Sequence, residues 1–458
     1  MGHALEFVQA DALARYWRLM GEEVFFNTGV DEHGQKIARK ADAAGIDRQA
    51  YVDKYAAEFD KLKEALDLSN DHFIRTSSEA HKAAAREMWR RCDAAGDIYK
   101  KKYKGLYCVG CEAFKTESDL IDGKCPDHQV EPEEIEEENY FFRLSKYQEY
   151  LTEYLSKESS VVPDFRRQEA LNFVKNGLED LSISREKTRM NWGIDVPGDD
   201  AHVMYVWFDA LTNYISTLGW PEDNDGIFAK YWEEGNTLQL AGKDQIRFQS
   251  IIWQAMLKSA GVKATGTVFY HGFINSGGHK MSKSIGNVID PYALVERYGT
   301  DATRYIMLRH VHPTDDSDLT WEKMDEYYTA NLVNGLGNLT ARIMKMAETH
   351  LEGPIERPVA SGFDKTYTSA LERYDFQTAA DFVWSKVQEL DEKITETEPF
   401  KLVKTDKPAA QKIIAELALG LHMVGRMLNP LMPEANRIIK AAVLENKKPE
   451  NLFARLEN

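Results

Sequence analysis

The sequence predicts an α/β domain split by an insertion and followed by an α-helical bundle. Three observations carry this reading. Strand-like and helix-like segments alternate over residues 23–95 and again over 202–274, as a parallel sheet with crossover helices requires. Residues 97–202 break the alternation and hold a cysteine cluster. After Trp321 only helical periodicity remains, punctuated by Gly353-Pro354 and Pro430.

Taken in order, Gly2 to Met20 has apolar residues at helical spacing. Glu23 to Val30 reads as a strand ending in the polar cluster Asp31-Glu32-His33-Gly34, and helical periodicity returns from Gln35. Asp71 to Thr76 reads as a second strand and Glu79 to Ala95 as a helix. In the insertion, the acidic run Glu131 to Glu138 reads as a solvated face or loop. Alternation resumes with strand His202–Val206, helix Trp207–Leu218, strand Thr237–Gly242, helix Gln245–Ala260 and strand Thr265–Ile274. The expected segments are 1–96 and 203–320 for the two halves of the α/β domain, 97–202 for the insertion and 321–458 for the helical domain.

Bulk properties narrow the class. With 458 residues, 43% of them hydrophobic, the chain can bury a sizeable core and form several compact units. A net charge of -17 argues against a simple nucleic-acid binder, which is usually basic, although local Lys/Arg clusters can still hold phosphates. Glu6, Asp11, Arg15 and Arg18 spread through the start do not fit a secretory signal, and no apolar stretch is long enough for a bilayer. Four cysteines in a chain of this length are no disulfide scaffold, so a reducing, cytoplasmic setting is expected.

Two motifs carry chemistry. Cys108-x-x-Cys111 with Cys125-x-x-His128 offers four N/S ligands in two tight turns, which suits tetrahedral zinc. Such a site is closed, with no position for water, and so is structural. Lys280-Met281-Ser282-Lys283-Ser284, preceded by Gly277-Gly278, places two ammonium groups on a loop. Lys280 and Lys283 can close over a polyphosphate and stabilise a leaving pyrophosphate.

Those five residues match the KMSKS signature of class I aminoacyl-tRNA synthetases. At the other end, Gly2 and His3 look like the last two residues of the same enzymes' HIGH motif, with Met1 at its variable apolar position. Phe25 to Gly34, Ser184-Arg185, Tyr205 to Ala210 and Gly242-Lys243-Asp244 resemble the methionyl-tRNA synthetases in particular. The resemblance covers essentially the whole chain, and a zinc knuckle inside the insertion is of a kind this family carries.

The resemblance implies a doubly wound, Rossmann-like catalytic domain with a zinc-knuckle insertion, then an all-α anticodon-binding domain. It implies ATP-dependent activation of methionine and transfer to initiator and elongator tRNA(Met), with Mg²⁺ accompanying ATP and one structural Zn²⁺. Asp31 would bind the methionine ammonium. Trp207, Ala210, Leu211, Tyr214 and Trp253 would line the thioether pocket, where sulfur meets aromatic rings. Gln249 stands where many members have a pocket histidine. Gly2, His3 and Glu6 would serve ATP at the start of the first helix, Asp244 the ribose, Arg185 the nucleotide, and Lys280 and Lys283 the phosphates. Asn338 and Arg342, four apart on one helix face, match the pair that reads the anticodon. Phe400 replaces the usual tryptophan that stacks an anticodon base. The chain starts inside its HIGH motif, so an incomplete gene product begun at an internal methionine is expected. A monomer is expected.

Three rivals stand beside this reading. Class I synthetases for leucine, isoleucine or valine carry a large editing insertion for which the chain has no room, and the cysteine enzyme uses zinc to hold its substrate. A non-catalytic tRNA(Met)-binding protein fits a truncated start. A zinc-stabilised structural protein leaves the two lysines unexplained.

Overall fold

The computed structural model describes residues 1–458 apart from 112, 116, 127, 128, 282–286, 357–361 and 457–458. The described chain divides into two compact units. A sheet unit comprises Asn27–Lys61 and Asn70–Tyr270, and a helical unit comprises Met1–Phe26, Leu62–Ser69 and His271–Asn458.

In the sheet unit, Asn27–Val30 pairs in parallel with His72–Arg75, Asn27 opposite His72 and Val30 opposite Arg75. The first strand is shorter than its predicted span from Glu23, because its partner offers only four residues of ladder. Gly29 lets the two backbones close up: a Cβ there would lie 2.3 Å from the Ile74 carbonyl oxygen. Helix Glu79–Ala94 starts at Ser78, whose hydroxyl accepts from the His81 backbone amide, and buries Met88, Trp89 and Cys92. A second group of strands runs in the order Leu238–Gly242, Thr267–His271, Val161–Val162, the last two parallel. The architecture is thus mixed α/β, as the alternation predicts.

The insertion folds as an antiparallel sheet, ordered Ala113–Lys115, Ile98–Cys108, Glu133–Phe142, Leu181–Ser182. Of the two readings of the acidic run, the solvated face holds and the loop does not. Most of it is a strand facing the basic strand 98–108, with Glu136 opposite Lys104 and Glu138 opposite Lys102. Glu134, Glu136 and Glu138 form its solvated face, while Ile135 and Glu137 point inward. Buried Glu137 is held by Arg189 at 3.1 Å and by the Asn139 amide at 2.9 Å.

Two predicted helices are subdivided. The one expected over 207–218 breaks into Val206–Ala210 and Asn213–Ser216. Asn213 Nδ2 donates to the Ala210 carbonyl at 2.6 Å, competing with the backbone for that acceptor. The one expected over 245–260 comprises a tight turn Lys243–Gln245, a π-helical turn Phe248–Ile252 and helix Trp253–Ser259. Gln254 Nε2 takes the Gln249 carbonyl at 2.9 Å, alongside the widened turn. The strand expected to run to Ile274 divides at Gly272, where the chain passes so close to Asp315 that a Cβ would sit 2.2 Å from its carbonyl carbon. Beyond it, Ile274–Ser276 pairs with His279–Lys280 and Ser317–Asp318.

Among the described residues, everything from Trp321 onward that is regular is helical, as predicted: the main elements are Trp321–Tyr327, Tyr328–Gly337, Asn338–His350, Lys365–Glu372, Phe376–Thr397, Lys407–Met427 and Pro433–Glu445. These pack through Leu332, Leu336, Ile343, Val383, Leu417, Leu421 and Ile439, all fully or nearly fully buried. Pro430 is indeed a breaker. Its carbonyl and that of Leu431 accept from buried Arg304 at 3.0 and 3.1 Å. No helix of the described residues is long and apolar enough to cross a membrane.

Candidate active site and metal centre

Asp31 follows the parallel strand Asn27–Val30 at its C-terminal end, where open α/β sheets present ligand-binding groups. The loop it opens is tightly held. Buried Glu32 takes Arg75 at 2.6 Å, the Ser77 amide at 3.2 Å and the Ser77 hydroxyl at 2.5 Å. The Glu32 amide donates to Thr76 Oγ1 at 2.9 Å, and its carbonyl accepts from Trp192 Nε1 at 2.6 Å. Asp31 itself is exposed and accepts from the His33 backbone amide at 3.3 Å.

A buried ionic cluster lies next to this loop. His33 Nδ1 and His81 Nε2 approach the two oxygens of Asp209 at 3.0 and 3.4 Å, and His81 Nδ1 meets Ser216 Oγ at 2.9 Å. Burial opposes the Asp209 charge, yet the two imidazoles hold its carboxyl below the usual carboxylate range. Sequence reasoning did not name His33 or His81 as site residues. The inward position of Asp209, flanked by Phe208 and Ala210 in a helical pattern, was the available signal.

The predicted side-chain pocket is partly assembled by direct contacts. Gln249 Nε2 donates to Tyr214 Oη at 2.7 Å, and the Tyr214 and Trp253 rings lie 6.0 Å apart. Trp207 stacks on Phe248 at 4.0 Å. Ala210 and Leu211 are buried on the same segment. Gln249 Oε1 and Trp253 Nε1 are buried polar atoms without a partner among the described residues, a condition that asks for an explanation in a packed interior.

Asp244 is exposed on the turn after Leu238–Gly242, within 3.2 Å of Gln245 Nε2. Arg185 is buried. Its guanidinium lies 4.7–5.0 Å from the rings of Tyr205, Phe114 and Tyr107, and donates to the Ser184 carbonyl at 2.6 Å and to Ser182 Oγ at 3.1 Å.

In the helical unit, helix Gly2–Met20 carries Gly2 and His3 in its first turn. A Cβ at Gly2 would meet nothing within 4 Å, so packing in this chain does not demand glycine there. Glu6 lies 3.3 Å from His271 Nε2. The lysine motif leaves a hairpin whose turn, Gly277-Gly278, has φ of 64° and 75°, values that suit a two-residue turn and favour glycine. Asp318 accepts from the Gly278 amide at 2.8 Å, and this bond leads in holding its carboxyl below the usual range. On the far side of the motif, Asn287 Nδ2 donates to the Ser276 and His279 carbonyls at 3.2 and 3.4 Å. Asn287, beyond the undescribed residues 282–286, is thus tied to the same hairpin. Lys283 and the Lys280 side chain lie outside the described residues.

Cys108, Cys111 and Cys125 present their sulfurs within 4.8 Å of one another. Cys108 ends the long strand Ile98–Cys108, and Cys125 sits in a turn closed by Gln129 N donating to its carbonyl at 2.7 Å. Three sulfurs at this spacing fit a tetrahedral zinc with Zn–S bonds of about 2.3 Å. His128, the expected fourth ligand, lies outside the described residues.

The three predicted anticodon residues sit in the helical part. Asn338 opens helix Asn338–His350 and is exposed, and Arg342 pairs with Asp391. Phe400 is 46% exposed, with the Lys401 ammonium 5.9 Å from its centre.

Comparisons with known proteins identify the family. The family model described as "tRNA synthetases class I (M)" matches residues 1–135 and 128–344. A methionine–tRNA ligase of Caldanaerobacter subterraneus is 41% identical over 448 residues, 94% of this chain and 70% of that relative. One from Brucella suis is 41% identical over 452 residues, 95% of this chain and 87% of the relative. The solved structure of Mycobacterium tuberculosis methionyl-tRNA synthetase in complex with methionyl-adenylate is 37% identical, covers 96% of this chain and 89% of its own, and superposes with a TM-score of 0.88. With matches of this extent, the chain belongs to the methionyl-tRNA synthetases, the methionine–tRNA ligases of the class I tRNA synthetase family.

Proposed function

We propose that this enzyme activates L-methionine with ATP to methionyl-adenylate and passes the methionyl group to initiator and elongator tRNA(Met). The observation that carries this is the Tyr214–Gln249–Trp253 cluster: aromatic faces for a thioether, with two buried polar atoms that have no partner among the described residues. That the similar Mycobacterium structure binds methionyl-adenylate supports the same reading.

A methionine carboxylate oxygen attacks the α-phosphorus of ATP. A P–O bond forms there, the bond to the β-phosphate breaks, and pyrophosphate departs with the electron pair. A ribose hydroxyl at the tRNA terminus then attacks the activated carbonyl, and AMP leaves. No covalent bond to the protein is needed, so catalysis consists of placement and charge stabilisation. In this reading Asp31 holds the methionine ammonium, and Trp207, Ala210, Leu211, Tyr214, Gln249 and Trp253 enclose the side chain. Asp244 holds the ribose, and Arg185 supports the nucleotide from its aromatic cage. Gly2, His3 and Glu6 serve the nucleotide, and Lys280 and Lys283 neutralise the leaving phosphates. Mg²⁺ bound with ATP would screen phosphate charge. Zinc on Cys108, Cys111, Cys125 and His128 would lock the knuckle of the insertion. Residues 1–96 and 203–320 serve as the catalytic halves, 97–202 as the insertion, and 321–458 as the anticodon domain, where Asn338, Arg342 and Phe400 meet the anticodon.

The test is ATP–pyrophosphate exchange with each of the twenty amino acids. Exchange with methionine alone is expected. Exchange with another amino acid instead, or none at all, overturns the reading.

A further inference from the structure

Asp209 is fully buried, and a carboxylate in that position is costly unless hydrogen-bond donors surround it. Its donors come from two distant parts of the sheet unit. His33 belongs to the loop that Asp31 opens, and His81 to helix Glu79–Ala94; they lie 176 and 128 positions away in sequence. Asp209 itself sits between Trp207 and Ala210, on the short helix that carries part of the side-chain pocket. Asp31 in turn accepts from the His33 backbone amide. The other anchors of this loop are residues 75–77, just before helix Glu79–Ala94, and Trp192; none of them lies on the pocket helix.

We infer that Asp209 is a positioning residue for methionine: through His33 it sets the Asp31 loop relative to the pocket helix, fixing the reach between the ammonium partner and the thioether pocket. This rests on the functional reading above, in which Asp31 takes the ammonium. Asp209 touches neither end of the substrate. Without the tie, each half of the site keeps its own shape, and a ligand that engages both halves suffers while one that engages only the pocket does not.

The experiment uses the full chain and two ligands, methionine and its analogue lacking the α-amino group, 4-(methylsulfanyl)butanoate, with binding read from tryptophan fluorescence. Asp209→Ala is expected to weaken methionine about tenfold, the analogue less than about twofold, and to leave the KM for ATP unchanged. Asp209→Asn keeps an acceptor for one imidazole and an amide donor for the other, and restores most of the methionine affinity. Should Asp209→Ala fail to fold, His33→Phe removes only the loop's half of the tie, and the same split between ligands is expected. Equal weakening of both ligands, or no weakening of methionine, overturns the inference. If the unaltered chain does not bind methionine, the functional reading falls first and this inference with it, an outcome distinct from equal weakening in the variants.

Discussion

Arg304 and Asp11 form an ion pair at 2.7 Å with both side chains wholly buried. Arg304 also donates to the carbonyls of Leu66, Pro430 and Leu431, so one guanidinium serves four acceptors in the helical unit. Asp11 is equally engaged. Burial works against its charge, but Arg304, Arg15 and the Ser69 amide and hydroxyl together hold its carboxyl below the usual value. Breaking such a pair from one side strands a buried charge, at a cost of about 3–5 kcal/mol. Arg304→Met is therefore expected to lower unfolding stability by that order in denaturant titration. The double variant with Asp11→Leu should recover part of the loss. A single variant as stable as the parent would show that the pair contributes nothing.

Asp301, three residues before Arg304, behaves in the opposite way. Burial leads and raises its pKa from 3.8 to about 6, although the Ala435 and Glu434 amides donate to it. The folded state then binds this proton more tightly than the unfolded chain does. Stability from this group is fully present below about pH 4 and is lost as pH rises through about 6, by roughly 3 kcal/mol in total. Asp301→Asn, which keeps the acceptor oxygen, should remove that slope. The readout is the difference in unfolding free energy between parent and variant at pH 4 and pH 7. A difference that does not change with pH would refute the assignment.

The metal centre predicts its own signature. Zinc content of the purified chain should be about one per molecule, and Cys108→Ala, Cys111→Ala or Cys125→Ala should bring it near zero. Chelation should raise hydrogen exchange over Leu106–Lys115, where the knuckle joins the antiparallel sheet, and spare the ladder between Asn27–Val30 and His72–Arg75. Uniform loss of protection in both would mean that the metal supports more than its knuckle.

The helical part should separate tRNA selection from activation. Asn338→Ala, Arg342→Ala and Phe400→Leu are each expected to raise the KM for tRNA(Met) about tenfold or more, given ~1–3 kcal/mol for a stacked or hydrogen-bonded base. Methionine-dependent pyrophosphate exchange should stay within about twofold of the parent, because in the proposed reading these residues meet the anticodon and touch neither methionine nor ATP. Equal loss in both assays would place these residues in fold maintenance instead.

The features legible in the sequence are those whose physics is local. Cys108 and Cys111 lie together because their short spacing is a turn, and Cys125 joins them from 14 positions further on. The Gly277-Gly278 turn before the lysine motif follows from the need for positive φ. The helices after Trp321 follow from periodicity, which reports the face an element buries. What periodicity cannot report is the partner on that face. The acidic run over 131–138 has the composition of a solvated face or a loop, and the pairing with the lysine-bearing strand 98–108 decides for a face on a strand over most of it. The breaks at Asn213 and in the turn Phe248–Ile252 come from side chains that compete for backbone carbonyls, which no hydrophobic pattern encodes. Arg304 reads as one more helix arginine, and Asp209 as one more helix aspartate. Their burial is decided by Asp11, His33 and His81, which lie far away in the chain, because a buried charge persists only where distant elements bring it its counter-charges and donors.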